Sequence, residues 1–127
     1  EGRFLKMEMP ASLRDVLLPF YAEHRHRAIK HPNIPGFFTN NHAVPMDLLS
    51  LDYSRDVRKV VVRELREVLQ WWTKRPLRHT MTFGVRVYRR GSMLINHLDR
   101  KETHLVSAVL QVAQQVPEDG AWPLEVL

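Results

Sequence analysis

Apolar residues recur along this chain with two different periods, and the change near residue 80 divides it. Leu13, Val16, Leu17, Phe20 and Tyr21 fall at helical spacing, and Ser12 offers a capping hydroxyl with Asp15 three positions on. A helix is expected to start at Ser12, with Pro19, which lacks a backbone donor, kinking or dividing it. A second stripe of Val57, Val60, Val61, Leu65, Val68, Leu69 and Trp72 predicts a helix over residues 55–74, stopped by Pro76, which disfavours helical geometry at Arg75. Its other face alternates Arg58, Lys59, Arg63 and Arg66 with Glu64 and Glu67. That interleaving reads as a solvated face, with Arg63 and Glu67 one turn apart and with Trp71 and Trp72 as packing residues.

Between the two helices, His24, His26 and His31 sit in a basic run without metal-ligand spacing, which reads as a polar helix face. Pro32, Asn33, Pro35, Gly36, Asn40 and Asn41 mark a loop over about residues 31–46, in which Phe37 and Phe38 are expected to pack on the core. From Thr80 the period becomes that of a strand: Met81, Phe83, Val85 and Val87 alternate with Thr82, Gly84, Arg86 and Tyr88. Arg89-Arg90-Gly91-Ser92 is a turn, after which residues 93–99 are expected to return as the partner strand. Residues 105–113 predict a third strand, Pro117-Glu118-Asp119-Gly120 a turn, and Trp122 the opening of another strand. The fold class is α+β. Residues 1–79 form a helical lead-in and support and residues 80–127 the first strands of a core, together one incomplete domain.

Composition narrows the picture only a little. A chain of 127 residues with 44% hydrophobic content can bury a globular core, which makes disorder a poor reading. The 19 Lys and Arg against 14 Asp and Glu give a net charge of +5, but they are scattered and form no tail. No nucleic-acid partner is expected on that ground. There is no cysteine, so the redox compartment stays open, and no apolar run is long enough to cross a bilayer. No signal peptide is visible, and because the chain starts at Glu1 and not Met, a preceding segment is expected.

The candidate chemistry is the pair His97 and Asp99. On a strand, residues two apart project from one face, so imidazole and carboxylate point the same way while Leu98 faces the opposite side. Two such ligands plus a second imidazole make the facial triad of a non-haem iron(II) oxygenase. Taken alone, the same tripeptide also occurs on ordinary surface strands. His104 is only a few residues beyond Asp99 and at the wrong parity for its face, so it reads as a hydrogen-bonding residue near the metal and not as a ligand.

The surroundings weigh in favour of the metal. Phe83-Gly84-Val85-Arg86-Val87-Tyr88, then Arg90-Gly91-Ser92, His97-Leu98-Asp99-Arg100, Thr103-His104 and Ser107, and finally Trp122-Pro123-Leu124-Glu125 follow one another in order. This series resembles the prolyl 4-hydroxylase-like branch of the 2-oxoglutarate and iron(II)-dependent dioxygenases, in which a Tyr-Gly-Ile-Arg-Val-Tyr-like strand runs into His-x-Asp-Arg and then a Thr-His-x-x-Ser strand. The close match covers about the last third of the chain, and a looser one reaches back through Trp72, Leu51 and Asn40.

What the resemblance implies is specific. The fold would be a double-stranded β-helix, or jelly roll, with helices packed against its major sheet, of which only the first part is expected here. His97 and Asp99 would hold Fe(II). Tyr88, nine positions before His97, would contact 2-oxoglutarate, although a tyrosine packed by its ring with its hydroxyl at the rim accounts for it equally well. The distal histidine and the Lys or Arg that takes the far carboxylate of 2-oxoglutarate are expected outside this sequence, so the segment alone is expected to be inactive and to need its continuation for full stability. The reaction implied is hydroxylation of an unactivated C–H bond, coupled to conversion of 2-oxoglutarate to succinate and carbon dioxide. Peptidyl proline in a peptide or protein is the substrate class implied, and ascorbate and an endoplasmic reticulum lumen enter by resemblance alone. Two other readings remain: a non-catalytic jelly-roll relative or scaffold that keeps the motif, and a basic nucleic-acid-binding module.

Overall fold

A computed structural model describes residues 4–31, 39–40, 44–94, 105–118, 120 and 124. Its elements follow the order α1 (Ala11–His24), β1 (Ile29–Lys30), β2 (Thr39–Asn40), β3 (Asp47–Leu49), α2 (Arg55–Thr73), β4 (Val85–Val87) and β5 (Met93–Leu94), with short 3-10 turns at Arg25–Arg27 and Leu51–Tyr53. Helix and strand are mixed, as α+β requires.

α1 buries Leu13, Leu17 and Phe20, a spacing of four and then three residues that keeps all of them on one face. Each such side chain contributes about 1.5–3 kcal/mol on burial. The helix begins earlier than Ser12. The carbonyl of Pro10 accepts from the backbone N–H of both Leu13 and Arg14, each at 3.0 Å, and Pro10 supplies no side-chain cap. Ser12 therefore lies inside the first turn and its pairing with Asp15 caps nothing. Pro19 does not divide the helix. It lies on the exposed side, one turn after the exposed Asp15, whose carbonyl it leaves without an N–H partner.

The basic run after α1 is not a helix face. The helix ends at His24, a 3-10 turn follows, and the chain is extended from Ala28 into β1. His24 turns inward: its Nδ1 lies 3.2 Å from the Phe20 carbonyl oxygen, and its ring stacks on Phe20 at 4.7 Å between centroids and on Tyr53 at 6.1 Å. His31 is 3% exposed, with its backbone N–H donating to the carbonyl of Met46 at 2.9 Å.

α2 starts where its stripe begins because Ser54, in extended backbone, accepts the Val57 N–H on its Oγ at 3.3 Å. It stops after Thr73. Lys74 takes a left-handed conformation with φ 55°, the Gln70 side chain accepts the Leu77 N–H at 2.8 Å, and Pro76 cannot continue the ladder. Val61 is buried and Val57 and Leu65 pack beside it, while Trp72 is half-buried. Trp71 is not a packing residue: it is 67% exposed, because it points away from the Val61 face. Arg63 pairs with Glu64 at 3.2 Å, not with Glu67.

The strands make two antiparallel sheets. One has the order β1–β3–β4 and the other pairs β2 with β5. In the first, Leu49 lies opposite Val85, and Leu48 lies between Ile29 and Arg86. The core unites Leu13, Leu17 and Phe20 of α1 with Leu49, Leu51 and Val61, and Val85, Leu110 and Val112 pack against it. So one face of the three-stranded sheet is turned to the helices.

The later strands differ from the alternating pattern. Residues 81–84 are irregular, with Met81 and Phe83 exposed, because the partner strand β3 ends at Leu49 and Gly84 turns the chain at φ 96°. The expected hairpin does not form: β4 pairs with β3, and β5 pairs with β2 instead of β4. The described stretch 105–113 makes no ladder, although Leu110 and Val112, two residues apart, both reach the core. The turn at 117–120 is present, the Gly120 N–H donating to Pro117 O at 2.9 Å. Phe37, Phe38 and nearly all of the strand expected from Trp122 onward lie outside the described residues.

Candidate functional site

The path to the candidate ligands is built by β4, a turn and β5. β4 is held by its ladder to β3 and by Val85 in the core, which leaves Arg86 on the opposite face. Tyr88 follows directly and is half-buried; by alternation it shares the side of Arg86. The turn is fixed by three contacts. Ser92 N–H donates to Arg89 O at 2.8 Å, Arg89 N–H donates to Ser92 Oγ at 3.0 Å, and the Arg89 guanidinium pairs with the Asp47 carboxylate across the ladder. Gly91 supplies the φ of 89° that closes it.

From the turn the chain enters β5, where Met93 lies opposite Asn40 and Leu94 opposite Thr39. Three residues beyond Leu94 comes His97. His97 and Asp99 lie outside the described residues, as do Arg100, Thr103 and His104. Among the described residues, no three His, Cys, Asp or Glu side chains are grouped to hold a metal ion. As a donor set, one imidazole and one carboxylate suit Fe(II), supplying two of the three protein ligands of a facial triad.

Arg86 was no more than a patterned position in the sequence. Its Nε is buried without a hydrogen-bond partner, and its guanidinium carbon lies 4.6 Å from the centre of the Phe83 ring. Its parity with Tyr88 was the available signal.

A second surface lies on α2. Arg55, Arg58, Lys59, Arg63 and Arg66 line one depression together with His79, while Glu64 and Glu67 line another beside Trp71 and Met7. The acids alternate with the bases in sequence, but helical geometry sorts the two charges onto different sides. Asp52 and Glu64 offset Arg58 and Arg63 by ion pairs at 3.8 and 3.2 Å. No helix among the described residues is long and apolar enough to cross a membrane.

No family model, no curated protein and no solved structure matches the chain.

Proposed function

We propose that this chain supplies the first strands of a jelly-roll dioxygenase, in which His97 and Asp99 bind Fe(II) and Tyr88 helps to seat 2-oxoglutarate. The observation that carries the reading is the ordered series from Phe83 through Tyr88, His97, Asp99, Thr103 and His104 to Ser107, since no member of it is specific alone. Two features of the fold support it. β4 and β5 follow each other in sequence yet lie in different sheets, and a chain that changes sheet at a corner is how two-sheet barrels are built. The helices cover one face of the β1–β3–β4 sheet, and Arg86 lies on the other.

In this scheme the His97 imidazole and the Asp99 carboxylate fix the metal, and the Tyr88 hydroxyl donates to a co-substrate oxygen. Iron held in this way supplies the oxygen chemistry that hydroxylates an unactivated C–H bond while 2-oxoglutarate becomes succinate and carbon dioxide. A prolyl residue of a peptide or protein is the substrate class we assign.

The test is oxygen-dependent succinate release by the full-length protein. Wild type is expected to turn over 2-oxoglutarate, and His97→Ala or Asp99→Ala to abolish it. Unchanged turnover in either variant would refute the site, and failure of the wild type to bind Fe(II) would favour a non-catalytic scaffold.

A further inference from the structure

Helix α2 carries its bases where they work against it. Arg55, Lys59, Arg63 and Arg66 follow one another at helical spacing, so each positive charge stands one turn from the next, and like charges so placed repel. Arg55 and Arg58 also sit near the start of the helix, where the macrodipole favours anions. The acids nearby offset this only in part. Asp52 pairs with Arg58 and Glu64 with Arg63, while among the described residues Arg55, Lys59 and Arg66 form no ion pair. Glu67, on the same helix, lines the other depression.

The bases line a concave surface of about 480 Å³. Asp52 of the 3-10 turn before α2 and His79 of the segment after it line it too, so three successive stretches of chain frame it. That last segment is fixed at Leu77, whose N–H donates to Gln70, and His79 Nε2 lies 2.7 Å from Thr82 Oγ1.

Four arginines among the five lining cations suit forked acceptors, carboxylates or phosphates. A nucleic-acid strand fits poorly. No Trp, Tyr or Phe lines the depression to stack a base, and Glu64 and Glu67 on the adjoining flank repel a long phosphate chain. A short extended peptide fits better. Its alternate residues project to one side about 6.5–7 Å apart, against about 5.4 Å between turns of the helix, a mismatch that long Arg and Lys side chains absorb. Val62, half-buried among the bases, offers an apolar contact to the methylene stems of such a peptide.

We propose that this face of α2 is a docking surface for an acidic segment of a protein partner, bound extended with alternate Asp or Glu carboxylates on Arg55, Lys59, Arg63 and Arg66. It stands apart from the dioxygenase reading, because none of these residues belongs to the series that carries that reading.

The test is the fluorescence anisotropy of a labelled peptide that alternates Glu with Ala, titrated with the full-length protein. The peptide is expected to bind, more weakly as ionic strength rises from about 0.05 to about 0.2 M, and its counterpart with Lys in place of Glu is expected not to bind. An exposed ion pair contributes up to about fivefold in affinity, so Lys59→Gln combined with Arg66→Gln is expected to weaken binding roughly 2- to 30-fold, and Glu67→Gln not to weaken it. A melting curve separates binding from structure. Without peptide, Lys59→Gln is expected to melt no lower than wild type, because it relieves repulsion from Arg55 and Arg63 at nearly equal helix propensity. No binding by wild type, unchanged binding by the double variant, or a lower melting temperature for Lys59→Gln would overturn the proposal. So would tighter binding of a single-stranded oligothymidylate of the same length, which would assign the surface to nucleic acid.

Discussion

Gly84→Ala tests the junction of sheet and core most directly. Gly84 has φ 96°, and a β-carbon built there would stand 2.5 Å from the carbonyl oxygen of Leu49, 3.4 Å from its carbon and 3.5 Å from Cα of Ser50. Carbon and oxygen approach to about 3.3 Å at closest in ordinary backbone contacts, so β3 or the 84 segment must retreat by roughly 0.8 Å. Leu49 is fully buried and opposite Val85, so the retreat disturbs both the ladder and the core. The left-handed backbone costs ~1–2 kcal/mol for an L-residue. Overpacking against a main-chain atom adds ~1–3 kcal/mol, while the stiffer unfolded chain offsets ~0.4–1 kcal/mol of the total.

Gly91→Ala is the matched control. Its φ is 89°, but the added carbon meets a methyl of Val44 at 2.8 Å, a side chain and not a backbone. The two variants share the conformational cost, and the overpacking falls mainly on Gly84. Urea unfolding followed by tryptophan fluorescence is expected to place Gly84→Ala ~1–3 kcal/mol below Gly91→Ala at equal m-value. If Gly84→Ala proves no less stable than Gly91→Ala, the close approach of Gly84 to Leu49 is wrong.

Two further substitutions read the helices. Leu17→Ala, in a side chain 2% exposed, is expected to lower the unfolding free energy by ~2–5 kcal/mol, while Leu18→Ala, 40% exposed, changes it by less than ~1 kcal/mol; equal effects in urea unfolding would contradict the face assigned to α1. Ser54→Ala is expected to cost ~0.5–2 kcal/mol through loss of the Val57 cap, whereas Ser12→Ala costs under ~0.5 kcal/mol; the reverse order in thermal melts would restore Ser12 as the cap.

α2 was legible because two signals agreed: an apolar stripe and a proline at its end. Where one local signal stood alone, it misled. Ser12 and Asp15 have capping-box spacing, yet the main chain of Pro10 starts the helix without them. The turn at Arg89–Ser92 was readable from Gly91, but a reversal fixes direction and not partner. β5 goes to β2, some fifty residues earlier, and no local pattern encodes a pairing of that separation. Alternation from 81 to 88 overstated β4, because a strand extends only as far as its neighbour's ladder, and β3 is three residues long. Of the candidate site, the turn and Tyr88 could be followed into the structure, and Arg86 emerged only from the hydrogen bonds that its burial denies it.

α2 is also the connection between two adjacent strands. β3 and β4 lie side by side, and a helix of 19 residues runs between them in the chain. A helix of that length spans roughly 28 Å, far less than the same residues extended. Its formation therefore shortens the excursion that the chain must close before Val85 can meet Leu49, and the same step lays Val57 and Val61 on the core shared with α1. Sheet closure and helix docking thus draw on one shared core. Amides of β4 are expected to exchange with solvent no more slowly than α2 opens, since releasing the helix lengthens the tether and removes the floor on which β4 rests.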